Sequence, residues 1–238
     1  VKLDRLKNFF SDQVKAVFTD ATADFALPPQ ALGLSQEQKE VLWEKYQIDA
    51  DKVFTIRQVH SNKVLTISKE DIPQQGLIPQ ADGIVTNIAG IVLSVRTADC
   101  LPVFLYDSQK KCIALVHAGW KSSAQKIVEQ AILALNQNYG SCASDLRVAF
   151  GPAIGKCCYG VGPEFKKVFP NETSCLGGQW HLDLSLVNTN QLLAMGVQPE
   201  HILLSSKCTV CDAGLFSYRR DKEQSGRHLS MMMIEKRG

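Results

Sequence analysis

The chain has no run near the roughly 20 consecutive apolar residues that a membrane helix needs. Its first residues, Val1-Lys2-Leu3-Asp4-Arg5, alternate charge and apolarity where a secretory leader would run apolar. Net charge is almost absent as well: 26 basic against 24 acidic side chains leave +2, without the concentrated basic excess that nucleic-acid or anionic-membrane binding uses. There is no internal repeat, no low-complexity block and no long charge run that would mark a linker. Together these absences favour a small-molecule ligand, a cytoplasmic location, no nucleic-acid or membrane partner, and one domain over residues 1–238. Apolar residues, by contrast, are plentiful. At 45% hydrophobic and 21% charged, the chain can bury its own core and is not disordered.

Cysteine is the one surplus. Eight in 238 residues is above ordinary usage yet well below a disulfide scaffold. The chain is long for such a scaffold, and Cys157 and Cys158 are adjacent, an awkward arrangement for two separate bridges. Most of the eight are therefore expected to be reduced, some as small buried apolar residues and one or two with a chemical role.

Along the chain, Val14 to Thr19 reads as a strand. Ser35 to Tyr46 reads as a capped helix with Val41 and Leu42 on one face. Lys52 to His60 alternates like a half-buried strand, Asn62 to Ile67 is a second extended run, and Ile72 to Gln80 is a loop. The centre is denser, with strand patterns over Ala81–Thr86, Gly90–Val95, Val103–Asp107 and Cys112–His117. A helix is expected from Ser122 onward, carrying Ile127, Val128, Ala131, Ile132 and Leu135. Asp145–Phe150 forms a strand leading into the tight turn Gly151–Gly155, and Leu182–Met195 a helix. Ile202–Ser205 and His228–Ile234 complete the strands. Predominant strands with three or four helices give an α/β (mixed α+β) fold of layered mixed sheets flanked by helices.

His60, Cys100 and His117 each fall at a predicted strand end, and strand ends on one side of a sheet converge. Two imidazoles and a thiolate suit zinc, and three protein ligands leave the fourth tetrahedral position open to water or substrate. The same residues also fit a cysteine hydrolase, with Cys100 as nucleophile and His117 as its base. Cys208-Thr209-Val210-Cys211 has the spacing of a metal or redox pair, and Cys157-Cys158 would have to supply its remaining ligands. Reduced, buried cysteines are the simpler reading of these four. Arg219-Arg220-Asp221 is either a phosphate site or a surface ion-pair cluster. Trp120 either stacks on a base or covers the core.

Six motifs occur in order: Gln58-Val59-His60-Ser61, Ala81-Asp82-Gly83, Thr97-Ala98-Asp99-Cys100-Leu101-Pro102, His117-Ala118-Gly119-Trp120, Gly151-Pro152-Ala153-Ile154-Gly155-Lys156-Cys157-Cys158-Tyr159 and Phe216-Ser217-Tyr218-Arg219-Arg220-Asp221. In this order they make the chain resemble the laccase-domain proteins. That family was formerly described as multicopper polyphenol oxidoreductases and later as purine nucleoside phosphorylases. The resemblance spans nearly the whole chain. It implies a fold likened to a cysteine hydrolase toxin and a zinc held by His60, Cys100 and His117. It also implies phosphorolysis of adenosine, inosine and S-methyl-5'-thioadenosine, and deamination of adenosine. On this reading Cys100, His117 and Asp99 are catalytic, Asp99 orienting a ligand or shuttling a proton. Lys121, Arg219 or Arg220 hold phosphate by charge-assisted bonds.

The alternatives are a thiol hydrolase or amidase, including peptidoglycan-precursor editing, and a copper-dependent polyphenol oxidase. Copper is an ion the same ligands can take up in vitro, but five histidines do not supply the ligands of several copper ions. Two departures stand out. Lys121-Ser122 follows Trp120 where the family continues with a glycine, so Ser122 is expected to restrict close approach of backbone and substrate. Lys222-Glu223-Gln224-Ser225 replaces a short glycine-containing turn before Gly226-Arg227. Cys211 lies outside the family pattern, so Cys100→Ala is expected to remove metal and activity and Cys211→Ala to leave both.

Overall fold

The structure, a computed structural model, describes residues 9–28, 30–31, 33–68 and 78–236. In chain order the strands are β1 (Val14–Phe18), β2 (Val53–Thr55), β3 (Val64–Thr66), β4 (Gly83–Thr86), β5 (Val92–Thr97), β6 (Leu101–Asp107) and β7 (Cys112–Ala118), followed by β8 (Leu146–Phe150), β9 (Gly160–Val161), β10 (Thr173–Leu176), β11 (Gln179–Leu182), β12 (Ile202–Leu203) and β13 (His228–Ile234). The helices are α1 (Gln36–Tyr46), α2 (Trp120–Ala124), α3 (Ile127–Tyr139), α4 (Phe165–Val168), α5 (Leu184–Ala194) and α6 (Tyr218–Asp221). A six-stranded sheet runs β12-β8-β6-β7-β4-β3, a four-stranded sheet β1-β13-β5-β2, and a small sheet β10-β11-β9. Both larger sheets are mixed, since β3 and β12 join the first in parallel and β2 joins the second in parallel. The α/β class and its layered mixed sheets are as expected.

Period-two patterning explains the layering. In β7, Ala114, Val116 and Ala118 face a core shared with Val128, Ile132 and Leu135 of α3. The alternate residues Ile113 and Leu115 face Leu93, Val95 and Met232 of the four-stranded sheet. On that sheet's far side, Val92 and Met231 pack on Leu42 of α1. A strand buried on both faces reads as a continuous apolar run rather than an alternation, which is how β6 and β7 stand out in the sequence.

Local signals account for the element ends. Ser35 caps α1, accepting from the Gln38 amide while the Gln38 side chain returns to the Ser35 amide. Asp183 caps α5, so the helix begins at Leu184 and Leu182 ends β11. The helix expected from Ser122 is two helices, broken at Lys126, whose φ is 62°. Lys52–His60 is not one strand. β2 stops at Thr55 because the Gln58 side chain takes over the pairing, accepting from the Arg96 amide and donating to its carbonyl. Six helices are found among the described residues where three or four were expected, the extra ones being only four or five residues long. Most of the predicted Ile72–Gln80 loop lies outside the described residues.

His228 of β13 is buried, and its Nε2 accepts from the Phe216 amide at 2.8 Å. Burial holds its pKa down at about 4 despite its backbone hydrogen bonds. A folded value below the ordinary one means that the neutral ring's contribution is complete above about pH 6.5 and is lost as pH falls toward 4, on the order of 3 kcal/mol by linkage. Denaturation midpoints of the wild type should therefore drop across this window. His228→Gln, which can still accept the Phe216 amide, should flatten that part of the curve, and an identical pH slope in the two chains would contradict the assignment.

Candidate functional site

Strand pairing assembles the site. In the β6–β7 ladder Leu101 lies opposite Ala118 and Pro102 opposite His117, so Cys100, just before β6, meets the end of β7. In the β4–β7 ladder Gly83 lies opposite Val116, and the His117 amide donates to the Asp82 carbonyl at 2.7 Å. His60 lies not at a strand end but in the irregular segment before β3. Its φ of 57° and the 86° of Asp99 are left-handed conformations that turn both residues out of the sheet, at a cost of about 1–3 kcal/mol each. The ligand atoms of His60, Cys100 and His117 all lie within 4.8 Å of one another. The absence of a side chain at Gly119 leaves room for two of these ligands. A Cβ on it would stand 2.9 Å from His60 Nδ1 and 3.0 Å from Cys100 Sγ.

Asp82 organises this cluster, a role the sequence reading did not give it. Fully buried, its carboxylate accepts from the amides of Val59, His60 and Ser61, from the Ser61 hydroxyl at 2.9 Å and from His117 Nδ1 at 2.9 Å. Burial alone would raise its pKa, but the His117 and Ser61 hydrogen bonds outweigh that and hold it at about 2. The ionised carboxylate fixes Nδ1 of His117 as donor and leaves Nε2 on the side of Cys100. His117 is itself pulled down by burial, but Cys100 and Asp82 overcome this and push it up to about 9. Desolvation first, then the charge on His117, lowers the pKa of His60. A carboxylate behind a histidine ligand is a recurrent support of metal sites, and its loss costs roughly 10–100-fold in affinity. Asp82→Asn should weaken the binding of a metal ion to this cluster by about that factor in chelator competition; unchanged affinity would remove Asp82 from this role.

The cluster opens into a cavity of about 680 Å³, within the range of small-molecule sites. Its lining carries four arginines, Arg57, Arg96, Arg219 and Arg227, against two carboxylates, Asp99 and Glu223. Arg96 is 8% exposed; its Nε donates to the Phe25 carbonyl at 2.8 Å, while Nη1 and Nη2 have no partner among the described residues. Burial, and then the charge of Arg57, lower its pKa to about 10. Arg96 therefore lines the cavity with a buried charge whose two terminal nitrogens lack partners among the described residues, which is costly unless a ligand's anionic group supplies them. The sequence signal for it is an arginine directly after the apolar run Val92–Val95.

The other predicted residues are distributed unevenly. Arg219 lines the cavity, its guanidinium 5.2 Å from the Tyr159 ring centroid. Arg220 points elsewhere, paired with Asp221 and donating to the carbonyls of Thr209, Val210, Asp212 and Leu215. Lys121 is exposed with Nζ 5.6 Å from the Trp120 ring centroid and does not line the cavity. Trp120 packs on Phe165, their ring centroids 4.9 Å apart. Asp99 lines the cavity, but both carboxylate oxygens are engaged at 2.6 Å, one by the Thr209 hydroxyl and one by the Arg219 amide. Ser122 does not restrict the approach to the cavity. It lies on the buried face of α2, where its hydroxyl accepts from the Gly119 amide and donates to the His117 carbonyl. Lys222, at φ 52° and ψ −130°, occupies a conformation suited to the glycine the family carries in this turn.

Sequence and fold both match known proteins. Residues 35–235 match the family model described as multi-copper polyphenol oxidoreductase laccase. The chain is 34% identical over 190 residues to purine nucleoside phosphorylase YlmD of Geobacillus stearothermophilus, covering 74% of this chain and 69% of that protein. It is 34% identical over 195 residues to adenosine deaminase RL5 of an unknown prokaryotic organism, covering 76% and 74%. A purine nucleoside phosphorylase of Aquifex aeolicus is 30% identical over 213 residues, covering 89% and 98%. Among solved structures, YlmD of Geobacillus stearothermophilus superposes with a TM-score of 0.82 at 29% identity over 94% of this chain and 93% of that one. The Bacillus licheniformis hypothetical protein YfiH gives 0.82 at 26% identity over 94% of each chain. With the family model covering residues 35–235 and relatives 30–34% identical over most of the chain, the chain belongs to the laccase-domain family that the sequence motifs resemble.

Proposed function

We propose that the chain is a zinc-dependent purine nucleoside enzyme, acting as one catalytic domain in the cytoplasm. It cleaves adenosine, inosine and S-methyl-5'-thioadenosine with phosphate and deaminates adenosine with water. The observation that carries this reading is one cavity lined both by the His60–Cys100–His117 ligand set and by Arg96, whose terminal nitrogens have no partner among the described residues. The names of the relatives support the purine nucleoside class. Eight free cysteines, four of them exposed, suit a reducing compartment.

The donor set fits zinc, with borderline-soft nitrogen and sulfur ligands and a free tetrahedral position. Zinc bound there supplies a Lewis acid and lowers the pKa of a water molecule. The chain's own residues do the rest. Asp82 holds His117 in the ligating tautomer. Arg96 receives phosphate oxygens through Nη1 and Nη2, with Arg57 and Arg227 adding charge, so the phosphate role moves from Lys121 and Arg220 to these arginines. Asp99 acts as a positioning residue that anchors Arg219 through its amide. A thiol hydrolase would use Cys100, His117 and Asp82 as a triad, but it gives no task to His60 or to the arginines lining the cavity. His181 and His228 are committed to backbone partners elsewhere, which leaves several copper ions short of ligands.

Chromatography of adenosine incubated with the zinc-loaded chain tests the reading. Adenine and ribose 1-phosphate should form only with phosphate, and inosine without it. A metal-free chain that hydrolyses an amide and releases no purine would overturn it.

A further inference from the structure

Four cysteines from two distant segments converge on the surface away from the His60–Cys100–His117 cluster. The sulfurs of Cys157, Cys158, Cys208 and Cys211 all lie within 4.8 Å of one another, with Cys157–Cys211 at 3.8 Å and Cys158–Cys211 at 3.4 Å. Four sulfurs about 2.3 Å from one tetrahedral ion are about 3.8 Å apart, so the cluster already has nearly the dimensions of an occupied site. We propose that these four cysteines bind a second, structural zinc ion that is separate from the one in the cavity.

The backbone around them supports a built site. The turn carrying Cys157 and Cys158 is closed by the Cys158 and Tyr159 amides donating to the Gly155 carbonyl at 2.9 and 3.0 Å. A bridge between Ala153 and Cys208, with the Thr209 amide donating to the Ala153 carbonyl at 3.0 Å, docks the second pair alongside. The Gly155 amide donates to Cys208 Sγ at 3.2 Å, and the amides of Val210 and Cys211 point at the same sulfur. Amides two and three residues beyond the first cysteine of a Cys-x-x-Cys turn, aimed back at its sulfur, stabilise a thiolate where a metal is held. Gly155 packs closely there: a Cβ would stand 3.2 Å from both Cys157 Sγ and Cys208 Cβ, tighter than ordinary van der Waals contact. Cys157 and Cys211 are exposed and the other two partly buried, so apolar burial does not explain the gathering. Thiol contacts are weak hydrogen bonds and would not hold two loops together by themselves.

Binding is a simple exchange. One Zn²⁺ enters, four thiols become four thiolate ligands, four protons pass to the buffer, and no redox partner is needed. The ion would clamp residues 155–158 to residues 208–211. The second segment reaches the cavity wall, because the Thr209 hydroxyl donates to the cavity-lining Asp99. This reverses the expectation for Cys211, whose replacement should now remove metal.

The test is metal analysis of the full chain purified without chelator. Two zinc ions per chain are expected in the wild type. One should remain in the triple variant His60→Ala/Cys100→Ala/His117→Ala, and one, the other, in Cys208→Ser/Cys211→Ser. Cobalt(II) substituted into the triple variant should show the intense near-ultraviolet charge-transfer bands of four thiolates and tetrahedral visible bands. This arm does not depend on the serine variant folding, nor on any activity at the cavity site. A triple variant that binds no zinc, or that gives no thiolate–cobalt bands while its four thiols react freely with a thiol reagent, would overturn the proposal.

Discussion

Cys100→Ala should abolish phosphorolysis and deamination together and lower bound zinc by one ion per chain. Cys100 is the only thiol donor of the three-residue cluster, and His60 and His117 alone leave two ligands on a metal that needs three protein donors at a catalytic site. The loss should exceed the roughly 10–100-fold attached to an outer-shell residue such as Asp82. Cys100 is partly exposed and lies before β6 rather than in the core, so the melting temperature of the metal-free variant should stay close to that of metal-free wild type. Activity retained in Cys100→Ala would place the chemistry elsewhere. Activity lost with zinc still fully bound would favour a nucleophilic role for the thiol.

Arg96→Met should separate the two reactions. Hydrogen bonds to charged groups contribute about 1.5–3 kcal/mol each, so losing those to phosphate should raise KM for phosphate by roughly 10–100-fold. Deamination, which uses water instead, should change only a few-fold. The Arg96 side chain donates one hydrogen bond, to the Phe25 carbonyl, and its Nη1 and Nη2 have no partner among the described residues. An apolar side chain of similar volume should therefore leave stability unchanged or raise it, while Arg96→Lys should restore part of the phosphate affinity. A stability loss with unaltered phosphate dependence would show that Arg96 serves the fold only.

How much of this was legible in the sequence follows from the physics of each part. The central strands announce themselves because β6 and β7 are buried on both faces and read as unbroken apolar runs. Ser35 and its Gln38 partner mark the start of α1 for the same local reason. The small sheet β9–β11 was not read, since strands of two to four residues carry almost no periodicity. The available clue was Gly177-Gly178, both at positive φ in the hairpin between β10 and β11. At the site, His60, Cys100 and His117 were identified through ordered motifs, but Asp82 was visible only as part of one. Its function comes from five donors, four on residues 59–61 and one on His117, whose convergence depends on the β3–β4 and β4–β7 pairings. Arg220 and Lys121 were chosen by residue type alone, and charge says nothing about direction. The cysteine quartet spans 157 to 211, and only the pairing of Ala153 with Cys208 brings its halves together.

The most direct measurement is a crystal structure of the zinc-loaded chain with phosphate and a purine nucleoside analogue whose base is joined through carbon, so that it cannot be cleaved. The account predicts a metal held by His60, Cys100 and His117, phosphate oxygens within hydrogen-bonding distance of Arg96 Nη1 and Nη2, and the nucleoside between them. Phosphate bound away from Arg96, or a nucleoside outside this cavity, would contradict it.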